Sequence, residues 1–117
     1  MKETKKKDAN KSVVSNFSRI VQSHKAFRFN KEAGKYTGKT ARSLKEFLLI
    51  LKVVDVKSVN FHFKRGDFQK WVQNIVGDIK LSNKIRKIPR EVHGEKLRNE
   101  LARIIKEQEI EQNQKQE

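Results

Sequence analysis

Three residues in the middle of the chain, His62, Arg65 and Asp67, are of types that could carry out chemistry together. An imidazole, a guanidinium and a carboxylate this close in sequence could act as an acid, an anion clamp and a base. Catalysis would also require a pocket and a nucleophile, and the sequence indicates neither of them. We therefore predict structural roles, in which Asp67 caps a helix, Arg65 pairs with a carboxylate and His62 packs at a helix boundary. We predict no catalytic residue and no enzymatic activity.

Sites for metals, cofactors and nucleotides are not indicated either. The histidines, His24, His62 and His93, are scattered, and the chain has no cysteine. Zinc sites usually combine His and Cys at short, regular spacings. The segment from Gly34 to Thr40 contains two glycines and two lysines but does not match the phosphate-binding loop G-x-x-x-x-G-K-[ST]. We predict no metal, no cofactor and no small-molecule substrate.

The strongest signal in the sequence is its positive charge. The 117 residues include 28 Lys and Arg against 14 Asp and Glu, a formal net charge of +14. The charge is graded along the chain, from net +10 over residues 1–45 through +5 over residues 46–94 to −1 over residues 95–117. So basic a surface is most favourable beside a polyanion, and nucleic acid is a commoner partner than an acidic membrane face.

The sequence argues against a membrane protein. The longest apolar run, Phe47 to Leu51, is far shorter than the ~20 residues that cross a bilayer. The polar residues 1–11 lack the apolar core of a signal peptide. The absence of cysteine suits a reducing compartment. We expect a cytoplasmic protein without a membrane partner.

The residues expected to contact nucleic acid are basic side chains of the N-terminal segment, loops and helix surfaces, together with one loop tyrosine. They are Lys5, Lys6, Lys7, Lys11, Arg28, Lys35, Tyr36, Lys39, Arg42, Lys64, Arg65, Lys80, Lys84, Arg86, Lys87 and Arg90. The cations would neutralise phosphates and release counterions. Tyr36 could stack on an unpaired base or fold back onto the core, and the sequence leaves both open.

The functional hypothesis is an RNA-binding structural protein, ribosomal or ribosome-associated, that contacts rRNA phosphates. Its partners would be rRNA and ribosomal proteins, with recognition by shape and phosphate spacing. One alternative is a DNA-binding chromatin protein, which the same charge would serve. Another is a helical interaction module whose partner is an acidic protein.

The N-terminal part of the chain is predicted to contain a tail, a helix and a strand. Residues 1–12 form a basic tail that we expect to be disordered when free. Apolar residues at helical spacing predict a helix to about His24; they are Val13, Phe17, Ile20 and Val21. Ala26 to Phe29 alternates apolar and basic residues like a short strand, and we expect its two phenylalanines in the core. A loop through Gly34 and Gly38 follows.

The middle of the chain is predicted to be helical. Ser43 and Glu46 match a capping box, so a helix should begin at Leu44 and run to about Val54. Its core positions, Leu44, Phe47, Leu48 and Leu51, share one face, which Ile50, Val53 and Val54 widen. The segment from Val56 to Phe63 fits both a strand and a helix, and we favour a helix.

Three more helix limits are indicated further along. Asp67 is expected to cap a helix that ends at Gly77. Asp78 then caps a helix from Ile79 to Ile88, which Pro89 ends. A last helix begins at Glu95.

The predicted fold is mainly α: a compact bundle of four to five helices, with room for one short strand or hairpin, after the basic tail. We divide the chain into a tail (1–12), one helical domain (13–106) and a polar C-terminal extension (107–117).

The stretch from Phe61 to Val72 reads F-H-x-x-R-x-D-F-x-x-W-V and is followed by Gly77-Asp78. It resembles the signature of an uncharacterised, mainly archaeal domain family, and the resemblance extends over roughly residues 26–105. It implies a helical fold and an archaeal source but no catalytic residues, because that family has no established activity. This chain is more basic than the family pattern, and in style it resembles the small proteins associated with archaeal ribosomes.

Overall fold

A β-hairpin and five α-helices make up the computed structural model, which describes residues 17–115. The predicted mainly α class is confirmed for this part of the chain. The helices are α1 (Leu44–Leu51), α2 (Val56–Arg65), α3 (Asp67–Trp71), α4 (Ile79–Arg86) and α5 (Gly94–Lys115). The predicted basic tail, residues 1–12, lies outside the described residues, as does Val13.

The hairpin pairs β1 (Phe27–Glu32) with β2 (Lys35–Ala41) in antiparallel fashion. The turn depends on Gly34, whose φ of 77° is readily adopted by glycine but not by residues with a side chain. The prediction of a loop continuing through Gly38 is wrong, because this segment forms β2. Gly38, with φ 87°, instead lies in a bulge opposite Phe29 and Asn30, where the strand register shifts.

The predicted helix up to His24 is also wrong beyond Ser18. The chain there is extended, because the Val21 N–H donates to the Arg42 carbonyl at 2.8 Å. A short 3₁₀ turn, Ser23–Lys25, precedes β1. Ile20 is therefore 56% exposed, while Phe17 and Val21 are buried. A contact with a distant part of the chain has overridden the helical spacing.

The first helix begins as predicted but ends earlier. Ser43 Oγ accepts the Glu46 N–H at 3.1 Å, and the Glu46 carboxylate accepts the Arg42 N–H at 2.8 Å. α1 stops at Leu51, and Val53 is 69% exposed, so the buried stripe is narrower than predicted. The predicted helix after Val54 is confirmed as α2.

α3 continues through one turn of π-helix, Val72–Val76, to Gly77, where the predicted helix end is confirmed. The prediction that Asp67 caps this helix is wrong. Gly66 occupies the cap position with no side-chain bond, and the Asp67 carboxylate points back to α2.

Asp78 caps α4 as predicted, because its Oδ1 accepts the Leu81 N–H at 3.0 Å. Its Oδ2 accepts the side-chain amides of Gln108 at 2.9 Å and Gln112 at 3.2 Å, both on α5. α4 ends at Arg86, two residues before the predicted limit. The residues of α5 beyond 106 thus pack on the rest of the fold at least to Gln112.

Aromatic rings dominate the core between the hairpin and the helices. Phe27 and Phe29 are buried as predicted, 4.8 Å apart between ring centroids. Phe27 also contacts Phe47 at 5.3 Å and Trp71 at 5.6 Å. The Trp71 indole donates to the Lys25 carbonyl at 2.8 Å. This cluster fixes the inner face of the hairpin and leaves the outer face to solvent.

Candidate nucleic-acid interface

His62 and Asp67, the residues with the strongest potential for chemistry, form a partly buried link between α2, α3 and the hairpin. His62 Nδ1 lies 2.8 Å from Asp67 Oδ2, and Nε2 accepts the Asn30 N–H at 2.9 Å. Because a backbone N–H can only donate, Nε2 carries no proton and Nδ1 donates to the carboxylate. Burial lowers the pKa of His62, against the opposing effect of Asp67.

This geometry favours a structural role for His62 over proton transfer. Both ring nitrogens of His62 are occupied, so neither is available to a substrate. Arg65 Nε lies 3.4 Å from the same Asp67 oxygen, and its guanidinium covers the Phe61 ring. The predicted pairing of Arg65 with a carboxylate and the predicted packing of His62 at a helix boundary are confirmed. Among residues 17–115, no group of His, Cys, Asp and Glu could hold a metal ion.

The hairpin docked by this link carries a basic outer surface. We define the hairpin surface by residues that are all exposed: Arg28, Lys31, Lys35, Tyr36, Lys39 and Lys57. Lys57, from the first turn of α2, lines a groove with Lys31 and Lys35. Lys31 also lines a second groove, with Tyr36 and Lys39. The two grooves share Lys31, so they form one continuous basic area.

Tyr36 lies on the outer face of the hairpin and is not folded into the core. It is 43% exposed, and its hydroxyl shares a hydrogen bond with that of Thr40. The Arg28 guanidinium lies over its ring, 3.8 Å from the centroid. The pair offers a flat, positively charged surface, of the kind on which unpaired bases stack.

Few carboxylates neutralise this surface. Glu32 reaches Lys35 at 3.7 Å, but both side chains are more than 60% exposed, so the pair contributes little. Asp55 borders the second groove and caps α2 by accepting the Lys57 N–H. Lys31, Lys39 and Lys57 have no side-chain partner among the described residues, so their charge is available to an anion.

Lys31 and Lys57 belong to this surface but are not among the contact residues named from the sequence. Lys31 follows the alternating strand pattern by only two residues, and extending β1 would have found it. Lys57 joins only because α2 packs against β1. No local pattern in the sequence signals that contact.

The other predicted contact residues lie elsewhere. Lys64, Arg65 and Arg90 lie at the far end of α2, where Arg90 donates to the Lys64 carbonyl at 2.8 Å. Arg42 bonds to the Val21 carbonyl at 3.2 Å, close to the end of β2. The predicted contacts of the N-terminal segment, Lys5, Lys6, Lys7 and Lys11, lie outside the described residues.

The basic residues of α4 are largely paired. Lys80 contacts Glu111, and Lys84 lies 4.0 Å from the same carboxylate. Arg86 bonds to the side chains of Asn83 at 2.6 Å and Gln73 at 3.2 Å. Lys87 is exposed. We define the α4–α5 surface by Lys80, Lys84, Arg86 and Lys87, together with Glu100 and Glu111 on α5.

The fold and its surfaces define a small basic domain, mainly helical, in which one hairpin displays unpaired cations beside an exposed aromatic ring. The chain belongs to DUF5752, a family of unknown function, whose sequence pattern matches residues 10–106. The expectation of an uncharacterised domain family is thereby confirmed. No curated protein and no solved structure matches the chain. Within residues 17–115, no helix is long and apolar enough to cross a membrane.

Proposed function

We propose that this protein binds structured RNA through the hairpin surface, as a ribosomal or ribosome-associated structural protein. The observation that carries the proposal is the hairpin surface itself, where Lys31, Lys39 and Lys57 lack partners among the described residues and surround the Arg28–Tyr36 pair. The lysines neutralise phosphates, and each contact releases a counterion. The Arg28–Tyr36 pair takes an unpaired base, which favours RNA over duplex DNA.

The protein acts by positioning RNA and not by catalysis. The occupied nitrogens of His62 support this part of the proposal. A rigid hairpin, fixed at Asn30 and at the Phe27–Phe29 cluster, holds its charges at constant spacing and so recognises RNA by shape. The partners would be rRNA and neighbouring ribosomal proteins in the cytoplasm. An archaeal source, which the sequence resemblance implies, belongs to the same proposal.

The test compares two triple variants that remove the same charge from two surfaces. Lys31, Lys39 and Lys57→Gln removes the three lysines of the hairpin surface that carry the proposal, and Lys80, Lys84 and Lys87→Gln removes three lysines from the α4–α5 surface. Three lost phosphate contacts should weaken binding of structured RNA about 100-fold near 0.1 M salt and reduce the slope of log K against log salt by about 3. The control triple should weaken it about threefold or less. Equal losses in both variants would contradict the assignment of the surface.

The same titrations separate the alternatives. Failure of the unmodified protein to bind rRNA at low salt would overturn the proposal. Equal affinity for duplex DNA would favour the chromatin alternative, and an acidic protein that stays bound after nuclease treatment would favour the interaction module. For the ribosomal role, we expect the protein to sediment with a ribosomal subunit in cell lysate and to lose that position after ribonuclease treatment.

A further inference from the structure

A groove at the opposite end of α2 from Lys57 has a composition that phosphate contacts alone do not explain. Its cavity, of about 350 Å³, lies between α2 and the chain that leads into α5. This is within the roughly 300–1,000 Å³ of typical ligand sites. We name it the α2–α5 groove, lined by Asn60, Phe63, Lys64, Arg90, His93 and Leu97.

The groove has an apolar base with a planar cation above it. Phe63 and Leu97 are 1% and 0% exposed. The Arg90 guanidinium lies 4.9 Å from the centroid of the Phe63 ring and is held by its bond to the Lys64 carbonyl. Since Arg90 is exposed, its other face can stack on a nucleic-acid base, as guanidinium planes do in RNA recognition.

The polar groups around Arg90 have hydrogen-bond donors and acceptors that no described residue uses. Asn60 Oδ1 accepts the Gly94 N–H at 2.8 Å, which leaves the amide hydrogens of Asn60 as donors. His93 Nδ1 donates to the Glu91 carbonyl at 2.9 Å, so Nε2 is left for a ligand. The Lys64 ammonium has no partner among the described residues.

A free phosphate would not suit this lining. Glu91 also lines the groove, and its negative charge repels an anion, but a carboxylate accepts hydrogen bonds from the amino groups of bases. Donors, a cation and a carboxylate in one lining match a ligand with both a phosphate and a base. We propose that the α2–α5 groove binds one unpaired nucleotide of the RNA, a proposal that rests on the proposed function.

The exposed side of α2 connects this groove to the hairpin surface. Lys57 and Lys64 are seven residues apart, two helical turns, so they share one side of α2 at a separation of about 10 Å. A single RNA strand can therefore contact both. This continuity favours a nucleotide within RNA over a free mononucleotide.

The experiment compares two RNA stems of equal length that end in the same unpaired loop, which is available to the Arg28–Tyr36 pair in both; one stem is uninterrupted and the other has a single unpaired nucleotide. We expect the protein to bind the interrupted stem about 10-fold more tightly, the gain of one stacked base. Lys64→Gln with His93→Gln should abolish this preference and lower the affinity for both stems only modestly. His24→Gln with Lys25→Gln removes the same side-chain types at exposed positions outside the groove and should keep the preference.

Each outcome separates the two proposals. If both stems bind equally, or if the groove variant keeps the preference, the nucleotide site is overturned and RNA binding stands. If neither stem binds, the proposed function fails. If neither stem binds but cytidine monophosphate shifts the NMR signals of His93 and Leu97, the groove takes a free nucleotide and its assignment to RNA is overturned.

Discussion

The hairpin surface and the α4–α5 surface are both rich in lysine and arginine, but they use these residues differently. On the hairpin surface, Lys31, Lys39 and Lys57 face solvent without a carboxylate partner among the described residues. On the α4–α5 surface, Glu111 contacts both Lys80 and Lys84. On α5, the hydrogen bond from Arg103 lowers the pKa of Glu100. Net charge therefore does not distinguish the two surfaces; the placement of carboxylates does.

The buried groups beneath the two surfaces differ as well. Beneath the hairpin, a neutral histidine, His62, holds the backbone of Asn30. Between α4 and α5, a carboxylate, Asp78, holds Gln108 and Gln112. Substitution of His62 or of Asp78 should thus affect one surface without the other.

The largest effect is expected from Asp78→Ala. It removes the α4 cap and leaves the buried amides of Gln108 and Gln112 without their acceptor, which should cost about 3 kcal/mol of unfolding free energy. Urea denaturation measures this loss. Asp78→Asn keeps a capping oxygen and should lose less. RNA affinity, measured where the variant is folded, should not change; a loss comparable to that of the hairpin triple would show that the two surfaces are coupled.

The next effect is a pH dependence that belongs to the hairpin side. Because burial lowers the pKa of His62, the unfolded chain binds its proton first as pH falls. The contribution of neutral His62 to the unfolding free energy is fully present above about pH 6.5 and is lost as pH falls through the folded-state pKa. The loss is about 1.4 kcal/mol for each unit by which folding lowers the pKa. Asp67 and Arg65 are the charged groups beside it.

Thermal denaturation between pH 7 and pH 5 checks this sign. The unmodified protein should lose stability over that interval, and the Asn30 amide signal should shift with it. His62→Leu should be less stable at pH 7 but should lose less stability over the same interval, whereas His24→Gln should behave like the unmodified protein. A stability that rises toward pH 5 would contradict the tautomer assigned to His62.

The smallest effect is expected from Glu111→Gln, which frees Lys80 and Lys84 on the α4–α5 surface. Since these ion pairs are partly exposed, the unfolding free energy should change by less than about 1 kcal/mol. Binding of RNA should strengthen about twofold to threefold, because two more cations become available. No gain in affinity would mean that the position of this surface, and not its pairing, keeps it from RNA.

Local signals in the sequence predicted the helices better than the hairpin. Ser43 and Asp78 cap helices through residues three positions away, so their motifs are readable in the sequence. The extended conformation at Val21 depends on Arg42, and the bulge at Asn30 depends on His62, 32 residues later. Sequence spacing carries no trace of such contacts.

The candidate site follows the same division. Arg28, Lys35, Tyr36 and Lys39 were predicted, because they lie close together in the sequence. Lys57 was not, since only the packing of α2 on β1 brings it to Lys31 and Lys35. The pairing of Lys80 and Lys84 with Glu111 was likewise not predictable from the sequence, because the partners are about thirty residues apart.

The hydrogen bonds that hold Arg19 and Lys25 against the helices have a consequence for the order of folding. Arg19 donates to the carbonyls of Ile75 and Val76, and the Trp71 indole donates to Lys25, so these bonds close loops of 46 to 57 residues. Loops of that size are costly to close before the intervening helices exist. During synthesis the hairpin emerges well before the residues that hold it. The surface proposed to bind RNA is therefore completed late, after α3 and its π-helical turn are in place.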